Sequence, residues 1–282
     1  MKIALLTGFL TALGLVISSI KEKGQQALGL APGGFDVSSG INKGKVDSLK
    51  YYSSLLNSER KALIYTPPGY SPAHTYPVLY LLHGIGGDEY SWFIDGQAHM
   101  ILDNLIHQGE AEPMIVIFPN GRAMKDDRPL GNLFSTEKLA SFEQFEEDLL
   151  GSLLPAVEAA YSVCTDSGSR ALAGASMGAG QVLNIGMAHP DVFAWLGAFS
   201  PAPNTKSPEE LVHLAARQQQ MQDLLWISSG LEDRLLPIAE SRHEYFEELD
   251  LAHEYHLSEG GHNYELWKND LYWFAKKIFK PI

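Results

Sequence analysis

The chain has 282 residues, of which 45% are hydrophobic and 20% are charged, as expected for a globular protein with a sizeable core. Its formal net charge of −13 argues against nucleic acids and anionic membrane surfaces as partners. One cysteine, Cys164, leaves no partner for an intramolecular disulfide. This length suits one large α/β domain or two small ones.

The amino terminus has the pattern of a secretory signal peptide. Met1 and Lys2 precede an apolar run, residues 3–20, and Lys21 follows it. This pattern predicts that the rest of the chain is secreted or periplasmic. Because about 18 apolar residues just span a bilayer, an uncleaved signal anchor is the alternative.

The chain divides into three predicted segments. Residues 1–20 are the signal peptide or anchor, and residues 21–45, rich in Gly, Ser and Lys, are expected to be a flexible lead-in. Residues 46–282 are expected to form a single domain. After signal cleavage we expect no stable insertion into a membrane.

Apolar β-like runs alternate with helical patterns through the predicted domain. Two short runs, 48–56 and 60–65, predict an antiparallel edge pair. Later strands are predicted at 76–83, 114–119, 193–199, 224–228 and 254–257. Helices are predicted at 95–107, 142–157, 179–187, 238–251 and 263–279. This alternation predicts an α/β fold, with a mostly parallel central sheet, helices on both faces and no large lid domain.

One stretch of small residues dominates the middle of the chain. Gly174 and Gly178 flank Ser176 in the pattern G-x-S-x-G, between a predicted strand and a predicted helix. This pattern is typical of the nucleophile elbow, which exposes a serine on a sharp turn. The amide of Met177 then points to where an oxyanion forms.

A second glycine-rich loop follows the strand that ends at His83. By its position, this loop supplies the other oxyanion-hole amide, and Ile85 is the expected donor. His83 itself is expected to be buried and structural. The long loop 120–140 is expected to border the same site, and three of its residues either contact substrate or are solvated. These residues are Arg122, Lys125 and Arg128.

A serine needs a base and an acid to act as a nucleophile near neutral pH. His262 follows the last predicted strand in a Gly-Gly loop, and Asp233 follows the strand before it. Glu232 is the alternative acid. The order Ser176, Asp233, His262 is the order found in α/β-hydrolases.

The sequence predicts no metal site and no cofactor. It contains neither a H-E-x-x-H motif nor paired cysteines, and His253 and His256 would lie on opposite faces of a strand. The elbow lacks the Gly-Lys-Ser/Thr of a phosphate-binding loop.

From Tyr65 onward the chain resembles the feruloyl and acetyl-xylan esterases of carbohydrate esterase family one, in the esterase D branch of the α/β-hydrolases. The matching phrases are residues 80–87, 103–106, 173–178, 181–186, 202–205 and 260–267. The resemblance implies the triad and the oxyanion donors named above. It also implies substrate contacts at Gly84 and Asn204.

The resemblance implies a secreted serine esterase whose substrate is a small-molecule or oligosaccharide ester. The expected reaction is hydrolysis of feruloyl esters on plant xylan or its fragments. The alternatives are acetyl-xylan esterase and periplasmic siderophore esterase, followed by S-formylglutathione hydrolase. A hydrolase fold that only binds its ligand is the alternative from another class of protein.

Overall fold

The structure is a computed structural model that describes residues 26–37, 40–216 and 222–280. The predicted signal peptide or anchor, residues 1–20, lies outside the described residues. None of the helices within the described ranges is long and apolar enough to cross a membrane.

The described residues form one sheet of nine strands in the order β1-β9-β8-β7-β6-β4-β5-β3-β2. The strands are β1 (Gln26–Ala27), β2 (Lys45–Ser53), β3 (Ser58–Thr66), β4 (Val78–Leu82), β5 (Ile115–Pro119), β6 (Arg170–Ala175), β7 (Trp195–Phe199), β8 (Leu224–Gly230) and β9 (Glu254–Ser258). All neighbouring pairs from β1 to β5 are parallel. β2 and β3 are antiparallel at one edge, as the sequence predicts.

Helices connect most of these strands. They are α1 (Ser91–Ile94), α2 (Ala98–His107), α3 (Thr136–Glu143), α4 (Phe145–Asp148), α5 (Leu154–Ala160), α6 (Met177–Gly186), α7 (Pro208–Ala216), α8 (Leu236–Glu248) and α9 (Tyr264–Ala275). The helix predicted over residues 142–157 is divided, with a π-helical turn at Leu149–Leu153 before α5. Pro155 explains the irregular turn, because it has no N–H to continue the α-helical bonding pattern.

The sheet is apolar on both faces because two hydrophobic cores lie against it. Along β4, Tyr80 and Leu82 contribute to one core, whereas Leu79 and Leu81 contribute to the other. Side chains alternate between faces along a strand, so a strand buried on both sides is almost wholly apolar. Helices α6 and α8 cover the first face, and α2 and α9 cover the second, as predicted.

The described part of the expected lead-in lies against the domain. β1 pairs with β9, and the Ala31 N–H donates to Oδ1 of Asn269 at 2.7 Å. The Phe35 ring packs edge-on against Tyr272, with centroids 5.5 Å apart. These contacts differ from the expectation of a flexible segment, since scattered apolar residues without periodicity still find a surface on α9. Pairing with β1 also covers the edge of β9.

Helix α9 carries a completely buried carboxyl group, Asp270. Burial raises its pKa to about 8, and the Ser228 hydroxyl offsets this only in part. In an unfolded chain the same group titrates near pH ~3.9. The folded chain therefore keeps a proton that the unfolded chain loses as pH rises through this window.

Asp270→Asn should remove a pH-dependent loss of stability. Between pH ~4 and ~8, Asp270 lowers the free energy of unfolding by about 1.4 kcal/mol for each pH unit gained. The variant should therefore gain stability over the wild type as pH rises, and the gain should be smallest near pH ~4. Urea unfolding of both proteins across this range measures the difference. A difference that does not change with pH would contradict the assignment.

Candidate active site

Ser176 lies on the sharp turn between β6 and α6. Its φ of 58° and ψ of −118° place it in a strained backbone region. Its N–H donates to the Phe199 carbonyl at 2.9 Å, which ties the turn to β7. A Cβ at Gly178 would lie 2.7 Å from the carbonyl oxygens of Leu82 and His83. The glycine therefore lets α6 approach β4 closely enough to form the predicted elbow.

Gly178→Ala should destabilise the protein by roughly 3 kcal/mol or more, because the contacting atoms are backbone and cannot rotate away. Gly151→Ala is the matched control, since a Cβ there meets nothing within 4 Å. Thermal unfolding of both variants measures the contrast. Equal unfolding temperatures for the two variants would show that the elbow tolerates a side chain.

The structure brings Ser176, His262 and Asp233 into one hydrogen-bonded row. His262 Nε2 lies 2.8 Å from Ser176 Oγ, and His262 Nδ1 lies 2.7 Å from Asp233 Oδ2. Each residue follows the carboxyl end of a parallel strand, so the three meet at one edge of the sheet. The geometry is that of a general base placed between a nucleophile and an orienting acid.

Asp233, and not the neighbouring Glu232, faces the histidine. Asp233 is 4% exposed, and its Oδ1 accepts a hydrogen bond from the Leu235 N–H at 2.8 Å. Burial favours the neutral acid, but the hydrogen bonds from His262 and Leu235 prevail and hold the pKa of Asp233 below its ordinary value. A carboxylate is therefore present to orient the imidazole and stabilise its protonated form. Glu232 is exposed.

The two expected oxyanion donors, Ile85 and Met177, line the same cleft as Ser176 and belong to one small apolar cluster. Met177 begins α6, where the first amides have no acceptor within the helix. A Cβ at Gly84 would lie 3.1 Å from the Ser176 Cβ. Gly84 thus allows the loop to pass directly over the serine, and it also lines the cleft.

His83 links this loop to the backbone that follows β5. The ring is buried, and burial together with the Arg122 charge lowers its pKa to about 4. The neutral ring accepts from the Gly121 N–H at Nε2, 2.9 Å away, so Nδ1 donates to the Gly84 carbonyl at 2.6 Å. His83 is therefore structural, as the sequence predicts.

Arg122 binds backbone carbonyls of the same loop. Its side chain donates to the Ile85 carbonyl at 2.9 Å and to the Gly87 carbonyl at 2.5 Å. Nε also donates to the Asp127 carbonyl at 3.0 Å. Arg122 is only 1% exposed, so it is neither the substrate contact nor the solvated side chain that the sequence allowed. It fixes the loop that carries Ile85, the expected oxyanion donor.

The other two residues that the sequence proposed as substrate contacts in this loop, Lys125 and Arg128, are exposed and are not among the described residues that line the cleft. Arg128 pairs with Asp126 at 2.7 Å on the surface. Asn204 is also absent from the described lining, in contrast to the predicted substrate contact. Its Nδ2 donates to the Met177 carbonyl at 2.9 Å, so it supports the first turn of α6.

The cleft beside Ser176 has a volume of about 410 Å³ and is mainly apolar. Its apolar walls include Ile85, Met177, Pro203, Leu235, Tyr264 and Trp267. The Trp267 ring also packs edge-on against His262, with centroids 5.0 Å apart. Tyr264 and Trp267 are site residues that the sequence did not predict. Their position shortly after His262, in the first turn of α9, is the signal that could have identified them.

The chain matches the Esterase family over residues 53–277. This match covers most of the chain and includes all three residues of the hydrogen-bonded row. The chain belongs to the Esterase family. Its relatives confirm two predictions from the sequence, the resemblance to feruloyl esterases and the α/β-hydrolase fold.

Two comparisons are the most informative. The esterase is 32% identical over 251 residues to an endo-1,4-β-xylanase/feruloyl esterase from Xylanibacter ruminicola, covering 85% of this chain and 32% of that protein. It is 26% identical to a CE1 ferulic acid esterase from Anaeromyces mucronatus, solved in complex with ferulic acid. That superposition has a TM-score of 0.81 and covers 90% of this chain and 98% of the other. The chain thus spans about a third of the length of the curated Xylanibacter relative.

An S-formylglutathione hydrolase from Staphylococcus aureus is similar to this chain in fold. It is 17% identical, with a TM-score of 0.65, and the superposition covers 85% of this chain and 99% of the other. The fold therefore accommodates different ester substrates, and the site must distinguish them.

Proposed function

We propose that this esterase hydrolyses feruloyl and related hydroxycinnamoyl esters of plant xylan or its oligosaccharides through an acyl-enzyme on Ser176. The observation that carries the proposal is the row Ser176–His262–Asp233 opening into an apolar cleft of about 410 Å³. The row supplies the nucleophile and its base. The cleft supplies room and apolar surface for an aromatic acyl group, which an acetyl group would leave largely unfilled.

The chemistry follows from the positions of these atoms. Ser176 Oγ attacks the ester carbonyl carbon while His262 Nε2 takes the hydroxyl proton. The carbonyl oxygen becomes an oxyanion, and the amides of Ile85 and Met177 stabilise it by hydrogen bonding. His262 then gives the proton to the departing alcohol oxygen, and the acyl-enzyme remains. A water molecule activated by His262 releases the acid in the second half of the reaction.

The relatives support the acyl group. The Xylanibacter relative is described as a xylanase/feruloyl esterase, and the Anaeromyces relative was solved with ferulic acid. The amino-terminal sequence supports secretion or a periplasmic location, which suits an enzyme that acts on polymer fragments outside the cytoplasm.

The test is kcat/KM on methyl ferulate, p-nitrophenyl acetate and acetylated xylan, with Ser176→Ala as the background control. We expect kcat/KM to be higher for methyl ferulate than for acetylated xylan. Turnover of acetylated xylan with none of methyl ferulate would replace the proposal by the acetyl-xylan esterase function. Inertness toward all three esters would exclude this substrate class.

A further inference from the structure

Three potential metal ligands lie close together at the carboxyl end of α8, outside the candidate active site. His243 and Glu247 are four residues apart, so they lie on one face of the helix. His253 follows in the turn before β9. One ligand atom from each residue lies within 4.8 Å of the other two.

His253 is already oriented to offer a lone pair. Its Nδ1 lies 2.7 Å from the Leu251 carbonyl, which can only accept, so Nδ1 carries the proton. Its Nε2 therefore has a lone pair, which accepts a hydrogen bond from Nδ1–H of His243 at 2.8 Å in the metal-free chain and which a metal ion would take over. Histidines that bind metals commonly donate their other N–H to a carbonyl in this way.

Aromatic contacts hold both rings. Tyr255 stacks on His243 with centroids 4.2 Å apart and an angle of 18° between the planes. Phe246 packs edge-on against His253 at 5.5 Å. His243 is 4% exposed, whereas Glu247 is exposed and can adjust its carboxylate. The two imidazoles are thus positioned before a ligand arrives.

We propose that His243, Glu247 and His253 bind a divalent transition-metal ion, with Zn²⁺ as the fitting ion. Two imidazoles and one carboxylate are a common zinc ligand set, and solvent would occupy the fourth tetrahedral position. Tetrahedral Zn–N bonds require the two nitrogens to be about 3.3 Å apart, so the rings must separate by roughly half an ångström. His243 then binds through Nδ1 as its Nε2–H tautomer.

The local charge favours a cation. Helix α8 also carries Glu240, Glu244 and Glu248, against the single cation Arg242. The carboxyl end of the helix adds the negative end of its dipole. This charge distribution raises the local concentration of a divalent cation without providing further ligands.

The metal ion would link the carboxyl end of α8 to the residue that precedes β9. The triad lies at the carboxyl ends of the strands, whereas His253 precedes the amino end of β9. The ion would therefore stabilise the fold without contacting the ester. The proposal departs from the sequence prediction of no metal site, which rested on motifs, whereas here two ligands come from a helix and the third comes from the following turn.

The experiment is calorimetric titration of the full metal-free chain with Zn²⁺, together with thermal unfolding with and without the ion. We expect one ion per chain and a higher unfolding temperature with Zn²⁺. His253→Ala and Glu247→Gln should each weaken binding by at least ~10-fold. Because Glu247 is exposed, its variant tests the site even if His253→Ala folds poorly. His213→Ala, at an exposed histidine on α7, should bind Zn²⁺ as the wild type does.

Absence of binding at a 1:1 ratio would overturn the proposal. So would affinity that is unchanged in both His253→Ala and Glu247→Gln, or that falls equally in His213→Ala. Both readouts are independent of ester turnover, so they test the metal site whatever the substrate is.

Discussion

Ser176→Ala is expected to lower kcat on methyl ferulate by about 10⁶-fold, because the Ser176 hydroxyl is the one that is hydrogen-bonded to the His262 imidazole. His262→Ala should have nearly the same effect, since the serine hydroxyl 2.8 Å from Nε2 then has no base. The double variant should be no slower than either single variant, because the two residues act as one unit. Steady-state kinetics of the three proteins measures this non-additivity.

Folding must be shown to be intact in these variants. Ser176 is 6% exposed and loses only a hydroxyl, so its unfolding temperature should stay close to that of the wild type. His74→Ala, at an exposed histidine, is the matched control for His262→Ala and should retain full activity. Substantial turnover by purified Ser176→Ala would exclude the acyl-enzyme mechanism at this residue.

Arg122→Met is expected to lower kcat on methyl ferulate by about 10²-fold with little change in KM, the size of losing one oxyanion donor. Without the guanidinium, the Ile85 and Gly87 carbonyls lose the side-chain donor that fixes them in the described structure, so the loop no longer holds the Ile85 amide in place. Arg122→Lys should recover only part of the rate, because an ammonium group cannot reproduce the fork of donors.

A matched variant separates this effect from a general change in the loop. Arg128→Met makes the same chemical change in the same loop, but its side chain is exposed and pairs only with Asp126 in the described structure. It should keep kcat, KM and the unfolding temperature of the wild type. Arg122→Met with unchanged kcat, measured well below its unfolding temperature, would show that the loop is fixed without Arg122.

The triad could be predicted from sequence because each member carries a local signal. Ser176 lies between glycines, and Asp233 and His262 follow apolar strands in the right order. Strands in a parallel sheet bring their carboxyl ends to one edge, so order along the chain is enough to predict proximity in space. The alternation of strands and helices determined the fold class in the same way.

Residues that act through distant partners could not be predicted. Arg122 differs from Arg128 only in what surrounds it, and the carbonyls it binds lie 35 and 37 residues earlier. Asn204 supports α6 instead of lining the cleft, because folding places its side chain beside the Met177 carbonyl. Nothing in the local sequence records these contacts.

The sequence by itself determined the fold class and the row of Ser176, His262 and Asp233, since these depend on short-range patterns and on chain order. Only the tertiary structure decided which arginine fixes the loop that contains Ile85, how the segment before β2 packs, and which potential metal ligands meet at the end of α8. The physical reason is common to all three. Burial and pairing are properties of the space around a side chain, and segments far apart in the sequence form that space.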